Sequence, residues 1–377
     1  MRALQTHIRS GQGSGLHLEN KDANVPRMGP ASILPNIKSP GAEGLAPLLM
    51  EHGFPRYRAG QILQWIYQHH AARFDEMTNI AKPDRARLAS LFSILSLDPI
   101  RVERSTDGTR KFLFRLEDDH AVESVLIPDE ERMTLCISSQ VGCRQACRFC
   151  LTGSSGFLRD LHGWEIADQV LQIARVLRKE GDRTITNIVL MGMGEPLDNY
   201  DEVIAALKII TAADGLGLSP RRITLSTAGL APQIVQLGAS GNRVNLAISL
   251  NAPNDAVRDR IMPVNRRHPL KELLAACKKY PLDPRRRITF EYVLLKGVND
   301  SEDDAVAVAR LLKGIRCKIN LIPFNPFPGA PFERPDDSTV RRFQNILLDR
   351  HYTAPVRESR GRDISAACGQ LRERISG

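Results

Sequence analysis

The chain has 377 residues, 42% of them apolar, and a formal net charge of +9 at pH 7. That length accommodates one large domain with a smaller one beside it. No apolar run is long enough to span a bilayer, and the first 40 residues lack the apolar core of a secretory signal, so a cytoplasmic setting is expected.

Residues 1–40 are rich in Gly, Pro, Ser and Asn without hydrophobic period, which predicts a disordered extension. Residues 45–98 predict a small helical accessory domain. Ile62, Leu63, Trp65, Ile66 and Tyr67 form one apolar patch and Leu88, Leu91 and Phe92 another, with Arg56 and Arg58 near a helix start. Such a module can simply cap the larger domain.

Residues 101–127 predict a β-hairpin extension. KFLFRLEDDHAVESVLIP alternates on both sides of the polar turn Glu117–His120. Glu123 shares a face with Ala121, Val125 and Ile127 by period two. A carboxylate on an apolar face either reaches the rim or sits in a site, and the pattern alone favours the rim.

From 130 to 372, strand-like runs alternate with helical ones. The strands are TLCIS, NIVLMG, RITLST, VNLAISL, ITFEYVLL and KINLIPF; Ile166, Val170, Ile173 and Leu177 make one intervening helical stripe. Six βα units predict an α/β fold built as a partial parallel (β/α)6 barrel. Active sites gather where the strands of such barrels end. Several strands here end on small or polar residues: Gly192–Glu195, Ser226–Thr227, Ser249–Asn251 and Asn325.

The chain has seven cysteines, a poor disulfide framework for its length. Cys277 and Cys317 sit in apolar stretches and read as core residues. GCRQACRFC carries Cys143, Cys147 and Cys150 at C-x3-C-x2-C spacing. Three thiolates can bind three irons of a 4Fe–4S cubane and leave the fourth open. An open iron can chelate S-adenosylmethionine, and reductive cleavage of its sulfonium yields a 5′-deoxyadenosyl radical. A structural zinc site would call for a second cysteine pair or histidines at finger spacing, and neither is present. Phe149 fits a shield over the cluster.

MGMGEP at 191–196 follows an apolar strand. Gly192 and Gly194 are expected to let a ligand reach the backbone, and Glu195 to accept from the ammonium group of a bound amino acid. Ser226, Ser249 and Asn325 are further polar candidates. Cys368 lies beside Gly369 in RGRDISAACGQL, and Cys136 precedes the cluster motif. The two read either as small buried hydrophobes or as a transient redox couple.

DGTRKFLF, VESVLIP, TLCISSQVGCRQACRFC, MGMGEP, LSTAG, LAISLNAP, LIPFNPFPGAPF and ISAACGQL together resemble the RlmN family of radical S-adenosylmethionine adenine C2 methyltransferases, over about 45–372. The resemblance implies action on 23S ribosomal RNA and tRNA. It implies that Cys143, Cys147 and Cys150 hold the cluster, and that Gly194, Glu195, Ser226, Ser249, Leu250, Asn251 and Asn325 bind S-adenosylmethionine. Cys368 would carry the methyl group, Cys136 would be its disulfide partner, and Glu123 would accept the C2 proton. A ping-pong route follows: one S-adenosylmethionine methylates Cys368, a second is cleaved reductively, and the activated carbon adds to C2. An electron donor such as flavodoxin is further expected, and a monomeric chain, because RNA would occupy the open face. Asn251 stands where the family commonly has His, and Asp160 where it has Asn.

The basic groups Arg221–Arg222, Arg266–Arg267, Lys278–Lys279, Arg285–Arg286–Arg287 and Arg341–Arg342 suit an RNA partner. Two rival readings differ in what they demand. A related family methylates adenine C8 with the same cluster and cysteines, but VESVLIP, Pro196 and NPFPGAPF look like the C2 family. A non-catalytic metal-containing RNA-binding protein would have no use for Cys136, Cys368 and Glu123.

Overall fold

The computed structural model describes residues 34–372. Three helices come first, α1 (Gly41–Glu51), α2 (Arg58–Tyr67) and α3 (Lys82–Leu91). Leu45 and Leu49 of α1, Ile62, Leu63 and Ile66 of α2, and Leu88 of α3 are buried in a common core. Three helices thus stand where the sequence predicted a helical region. The expected extension lies outside the described residues as far as 33, and 34–40 departs from the expectation. Ile37 is buried and its N–H donates to Ser93 O at 2.9 Å. Lys38 Nζ meets Asp168 Oδ1 at 2.7 Å with both side chains fully buried. Composition missed this because each partner lies far along the chain.

An antiparallel unit follows, β1 (Asp98–Arg104), β2 (Arg110–Arg115) and β3 (Ala121–Pro128). The expected hairpin therefore has a third strand. β1 exposes most of its residues, so no apolar alternation marked it. β3 pairs antiparallel with β4 (Met133–Cys136), so the extension continues the barrel sheet instead of standing apart from it.

After β4, a two-stranded ribbon of β5 (Gln140–Gly142) and β6 (Phe157–Asp160) brackets the cysteine loop and the one-turn helix α4 (Leu151–Ser154). Helix α5 (Gly163–Glu180) then buries the predicted stripe of Ile166, Val170, Ile173 and Leu177. Glu165 Oε2 accepts from His162 N at 2.8 Å at its start, and Gly181 at φ 69° ends it. The remaining elements alternate: β7 (Asn187–Leu190), α6 (Tyr200–Thr211), β8 (Ile223–Thr227), α7 (Ala231–Ala239), β9 (Asn245–Ser249), α8 (Asp255–Ile261), α9 (Leu270–Lys279), β10 (Ile288–Leu294), α10 (Glu302–Leu311), β11 (Cys317–Pro323) and α11 (Asp337–Asp349).

The six predicted strands pair side by side and parallel in chain order, β4-β7-β8-β9-β10-β11. The order is linear, so the barrel is partial, as expected. The free edge of β11 is met by the chain after α11. Ile319 N donates to Thr353 O at 2.9 Å, Leu321 N to Pro355 O at 2.9 Å, and Arg357 N to Leu321 O at 2.7 Å. This edge pairing aims the last described residues back across the strand ends.

The helical domain rests on the barrel. Arg175 of α5 donates to His70 O at 2.9 Å, and Lys208 of α6 pairs with Glu43 at 2.6 Å. Arg58 is spent inside the domain, 2.6 Å from Asp84 Oδ2.

Candidate active site

Cys143, Cys147 and Cys150 lie on the loop between β5 and α4 and face one cleft at the C-terminal ends of the parallel strands, with about 1000 Å³ of empty volume. Gly142, at φ 78°, opens the loop; a Cβ there would sit 2.1 Å from Gly156 O. Backbone N–H groups already point at sulfur, Gln145 at Cys143, and Thr152 and Gly153 at Cys150. Burial pushes the Cys143 thiol up to about 12, and burial with the neighbouring thiols raises Cys147. A positive ligand that takes thiolates reverses that penalty. Among the described residues, no three ligating side chains converge on a single metal-ion position. A cubane asks for no such convergence, because each thiolate binds a separate iron. The donor set fits a 4Fe–4S cluster with one open iron.

Gly192 and Gly194 serve a purpose the sequence reading did not assign. A Cβ on Gly194 would lie 2.6 Å from Gln140 Cβ, and one on Gly192 would lie 2.7 Å from Ile137 O. Their space is filled by the chain between β4 and β5, although both still line the cleft. Gln140 Oε1 accepts from Glu195 N at 2.8 Å, and Gln140 Nε2 donates to Asp160 Oδ1 at 2.8 Å. Asp160, the departure from the family pattern, is thus engaged as an acceptor.

Glu195 is buried in the cleft. Its carboxylate accepts from Leu197 N at 3.1 Å and Ala228 N at 2.5 Å. Burial outweighs these bonds and pushes its pKa up to about 7. A cation placed there would restore the carboxylate.

Ser226 is the penultimate residue of β8, Ser249 ends β9, and Asn325 follows β11; all three line the cleft. Asn325 Nδ2 reaches Cys368 O at 3.3 Å, while its buried Oδ1 has no partner. That orphaned acceptor suits a bound ligand's donor. Asn251 also lines the cleft, but its Oδ1 accepts from Val293 N at 2.8 Å and its backbone sits at φ 57°, which asparagine tolerates. Leu250 does not line the cleft. Its N–H donates to Glu291 O and its carbonyl accepts from Arg258, both at 3.0 Å.

Cys368 opens onto the cleft and onto a second cavity that holds Cys136 at the end of β4. All seven cysteines are free thiols. Cys368 is exposed through these spaces yet surrounded by protein, and burial pushes its thiol up to about 11. The segment carrying it is held by Leu151 N to Gly369 O at 2.7 Å and Thr152 Oγ1 to Leu371 O at 2.6 Å.

Glu123 lines neither space. It is buried on β3, away from the rim that the pattern favoured, 3.2 Å from Lys111 Nζ and accepting from Arg372 N at 3.1 Å. Burial raises its pKa, with Lys111 opposing.

Two residues went unread in the sequence. Glu291 of β10 faces both cavities, accepts from Asn320 Nδ2 at 2.9 Å, and has a pKa raised by burial. A lone carboxylate inside the apolar run ITFEYVLL was the available signal. Arg258 of α8 is fully buried behind the cleft, and nothing in NDAVRDRI marks it.

The basic groups divide. Arg148 and Arg267 are exposed around the cysteine loop, where Arg148 N meets Ile261 O at 3.0 Å and Arg267 Nη2 donates to Gln145 Oε1 at 3.0 Å. Arg221, Arg243, Arg285 and Arg286 surround a surface hollow at the opposite, N-terminal ends of β8, β9 and β10.

Comparison with known proteins agrees with this geometry. The radical SAM superfamily profile matches residues 137–309, and the ribosomal RNA large subunit methyltransferase N-terminal domain matches 36–94. The dual-specificity RNA methyltransferase RlmN of Desulfosudis oleivorans is 53% identical over 327 residues, covering 86% of this chain and 87% of the relative. That of Geobacter sulfurreducens is 54% identical over 340 residues, covering 90% and 92%. A radical SAM methyltransferase structure from Sphaerobacter thermophilus superposes with a TM-score of 0.85 at 47% identity, covering 90% of this chain and 99% of that one.

Proposed function

The chain belongs to the RlmN family of dual-specificity RNA methyltransferases, and from that premise we propose that it methylates C2 of adenosines in 23S ribosomal RNA and in tRNA, with Cys368 as the methyl carrier. The observation that carries the reading is the position of Cys368, which faces the cleft of the three cluster cysteines on one side and the cavity of Cys136 on the other. One thiol can therefore meet a methyl donor, an RNA base and a resolving thiol in turn.

Cys143, Cys147 and Cys150 hold the cluster, and Glu195, Ser226, Ser249 and Asn325 surround the space for S-adenosylmethionine. When bound, these groups supply a methyl group and the one-electron cleavage of a carbon–sulfur bond. C2 of adenine is not nucleophilic, so the carbon must arrive on a carrier. Cys368 takes the methyl as a thiolate, which requires loss of its proton first. The family likeness makes Glu123 the acceptor of the C2 proton, a role that requires the base or the Arg372 segment to shift, because Glu123 is buried outside both cavities. The Cys136 thiolate then attacks the Cys368 sulfur and frees the product; the disulfide left behind is reduced afterwards.

The target base must leave its stack to enter the cleft. Arg148 and Arg267 beside the cysteine loop can hold phosphates, and the helical domain is the further RNA-facing surface in this proposal. A flavodoxin-like electron donor, a monomeric chain and a cytoplasmic setting complete it. No helix among the described residues is long and apolar enough to cross a membrane.

The test is anaerobic incubation of reconstituted protein with S-adenosylmethionine, a reductant and unmodified ribosomal RNA, beside Cys368→Ala. Formation of 2-methyladenosine by the wild type alone is expected. 8-Methyladenosine would move the chain to the C8 reaction, and product from Cys368→Ala would remove the carrier.

A further inference from the structure

The cavity that Cys368 shares with Cys136 is walled from the opposite end of the barrel. Asn187 opens β7, and Thr224, Thr289 and Lys318 are the second residues of β8, β10 and β11; all four line this cavity. The cleft of the cluster cysteines lies instead at the last residues of the strands. By period two, Lys318, Asn320 and Ile322 of β11 turn one face to the cavity. Cys368 and Glu291 line both spaces, so the two meet at the methyl-carrying thiol. The cavity has about 1310 Å³ of empty volume, room for a small molecule.

Its lining calls for an anion that also has a donor. Lys318 is half-buried in it, and Arg222, Arg357 and Arg360 reach it from exposed positions. Among the described residues, no carboxylate forms an ion pair with any of these four. The acids in the wall are the exposed Glu358 and the buried Glu291, which accepts from Asn320 Nδ2 at 2.9 Å. Asn320 is 7% exposed, and its buried Oδ1 has no partner. An orphaned acceptor in a cavity suits a ligand's N–H. Cys136 is equally recessed, at 7% exposed, so a thiol that reaches this pair has to come in as a small molecule.

We propose that this cavity binds the reductant of the Cys136–Cys368 disulfide, a small thiol that carries carboxylates and an N–H, as glutathione does. The inference rests on the reading of Cys368 and Cys136 as methyl carrier and resolving thiol. Lys318 and Arg357 hold the carboxylates, and Asn320 Oδ1 accepts the N–H. The incoming thiolate attacks the sulfur of Cys368, the cysteine that opens onto both spaces. The S–S bond breaks, and Cys136 leaves as a thiolate and takes up a proton. A second thiol attacks the mixed disulfide, frees Cys368 and departs as the symmetric disulfide. Two external thiols are oxidised and two cysteines are reduced.

The disulfide is formed in cluster-loaded protein with diamide and identified by peptide mass spectrometry; alkylation then counts the cysteines released. Glutathione is compared with its diethyl ester, which masks both carboxylates, and each rate is divided by that thiol's rate on a small neutral disulfide. Wild type is expected to favour glutathione about tenfold, a preference that shrinks as salt rises. Lys318→Gln/Arg357→Gln is expected to bring the ratio to about one. A preference that survives in the folded double variant overturns the proposal. If that variant does not fold, wild type decides, because equal normalised rates for the two thiols overturn it without any variant. Reduction by thioredoxin while glutathione is inert overturns it in favour of a protein reductant. If no Cys136–Cys368 disulfide forms, with diamide or after turnover on RNA, the resolving-pair reading falls as well.

Discussion

The backbone N–H of Arg372 donates to Glu123 Oε2 at 3.1 Å and closes the segment that carries Cys368 onto the antiparallel extension. Lys111 holds the other carboxylate oxygen at 3.2 Å. Glu123 is thus a structural clamp as well as the expected proton acceptor. Glu123→Gln leaves Lys111 with Glu103 alone, at 3.5 Å. Chemical denaturation should show a loss of about 1–3 kcal/mol. Methyl loading of Cys368 should persist, while product RNA falls by two orders of magnitude or more. A variant that neither loads nor releases would place Glu123 in the first step instead.

Cys136 and Cys368 share a cavity, so removing one thiol should strand the other's cargo. Cys136→Ala is expected to leave RNA covalently attached to Cys368, seen as a shifted band that nuclease digestion trims. Cys136→Ala/Cys368→Ala should give no such band. Ordinary turnover by Cys136→Ala would mean that another group resolves the adduct.

Glu195 makes stability depend on pH in a defined direction. Its folded pKa, about 7, lies above the usual 4.5 because the carboxylate is buried. The protonated form is favoured by the fold, so its contribution is fully present below pH 4.5. That contribution is lost as pH rises through about 7, by an amount on the order of 3 kcal/mol. Cluster-free wild type should therefore lose stability over this window relative to Glu195→Gln. Parallel pH–stability curves for the two proteins would contradict the burial argument.

The two basic regions should respond differently to charge removal. Arg148→Ala/Arg267→Ala removes cations beside the cysteine loop, whereas Arg221→Ala/Arg285→Ala removes them from the opposite end of the barrel. The first pair is expected to weaken RNA binding and to reduce the slope of log K against log salt by about 1 to 2. The second pair should leave both nearly unchanged. The reverse result would mean that RNA wraps the far end.

Much of the barrel was legible from the chain. The six strands appear where apolar runs alternate with helical stripes, and the Ile166–Leu177 stripe is buried as its period requires. The cysteine spacing placed three thiols in one cleft, because a motif confined to eight residues carries its geometry locally. The extension was legible only where it alternates; β1 shows no apolar face and was missed.

Read alone, the chain determined the strand–helix order, the cysteine loop and the polar strand ends that line the cleft, since periodicity and short spacing act within a few turns of backbone. Only the tertiary structure decided which distant groups meet. It buried Lys38 against Asp168 and Glu123 against Lys111 and Arg372, and it filled the space at Gly192 and Gly194 with the β4–β5 connection. It also brought Cys368 to the cavity of Cys136 and left Arg258 fully buried against the carbonyls of Ala228, Ser249 and Leu250. The physical reason is common to all of these. A side chain's burial, charge state and partner depend on atoms from other elements, and a residue's own neighbours in sequence do not record them.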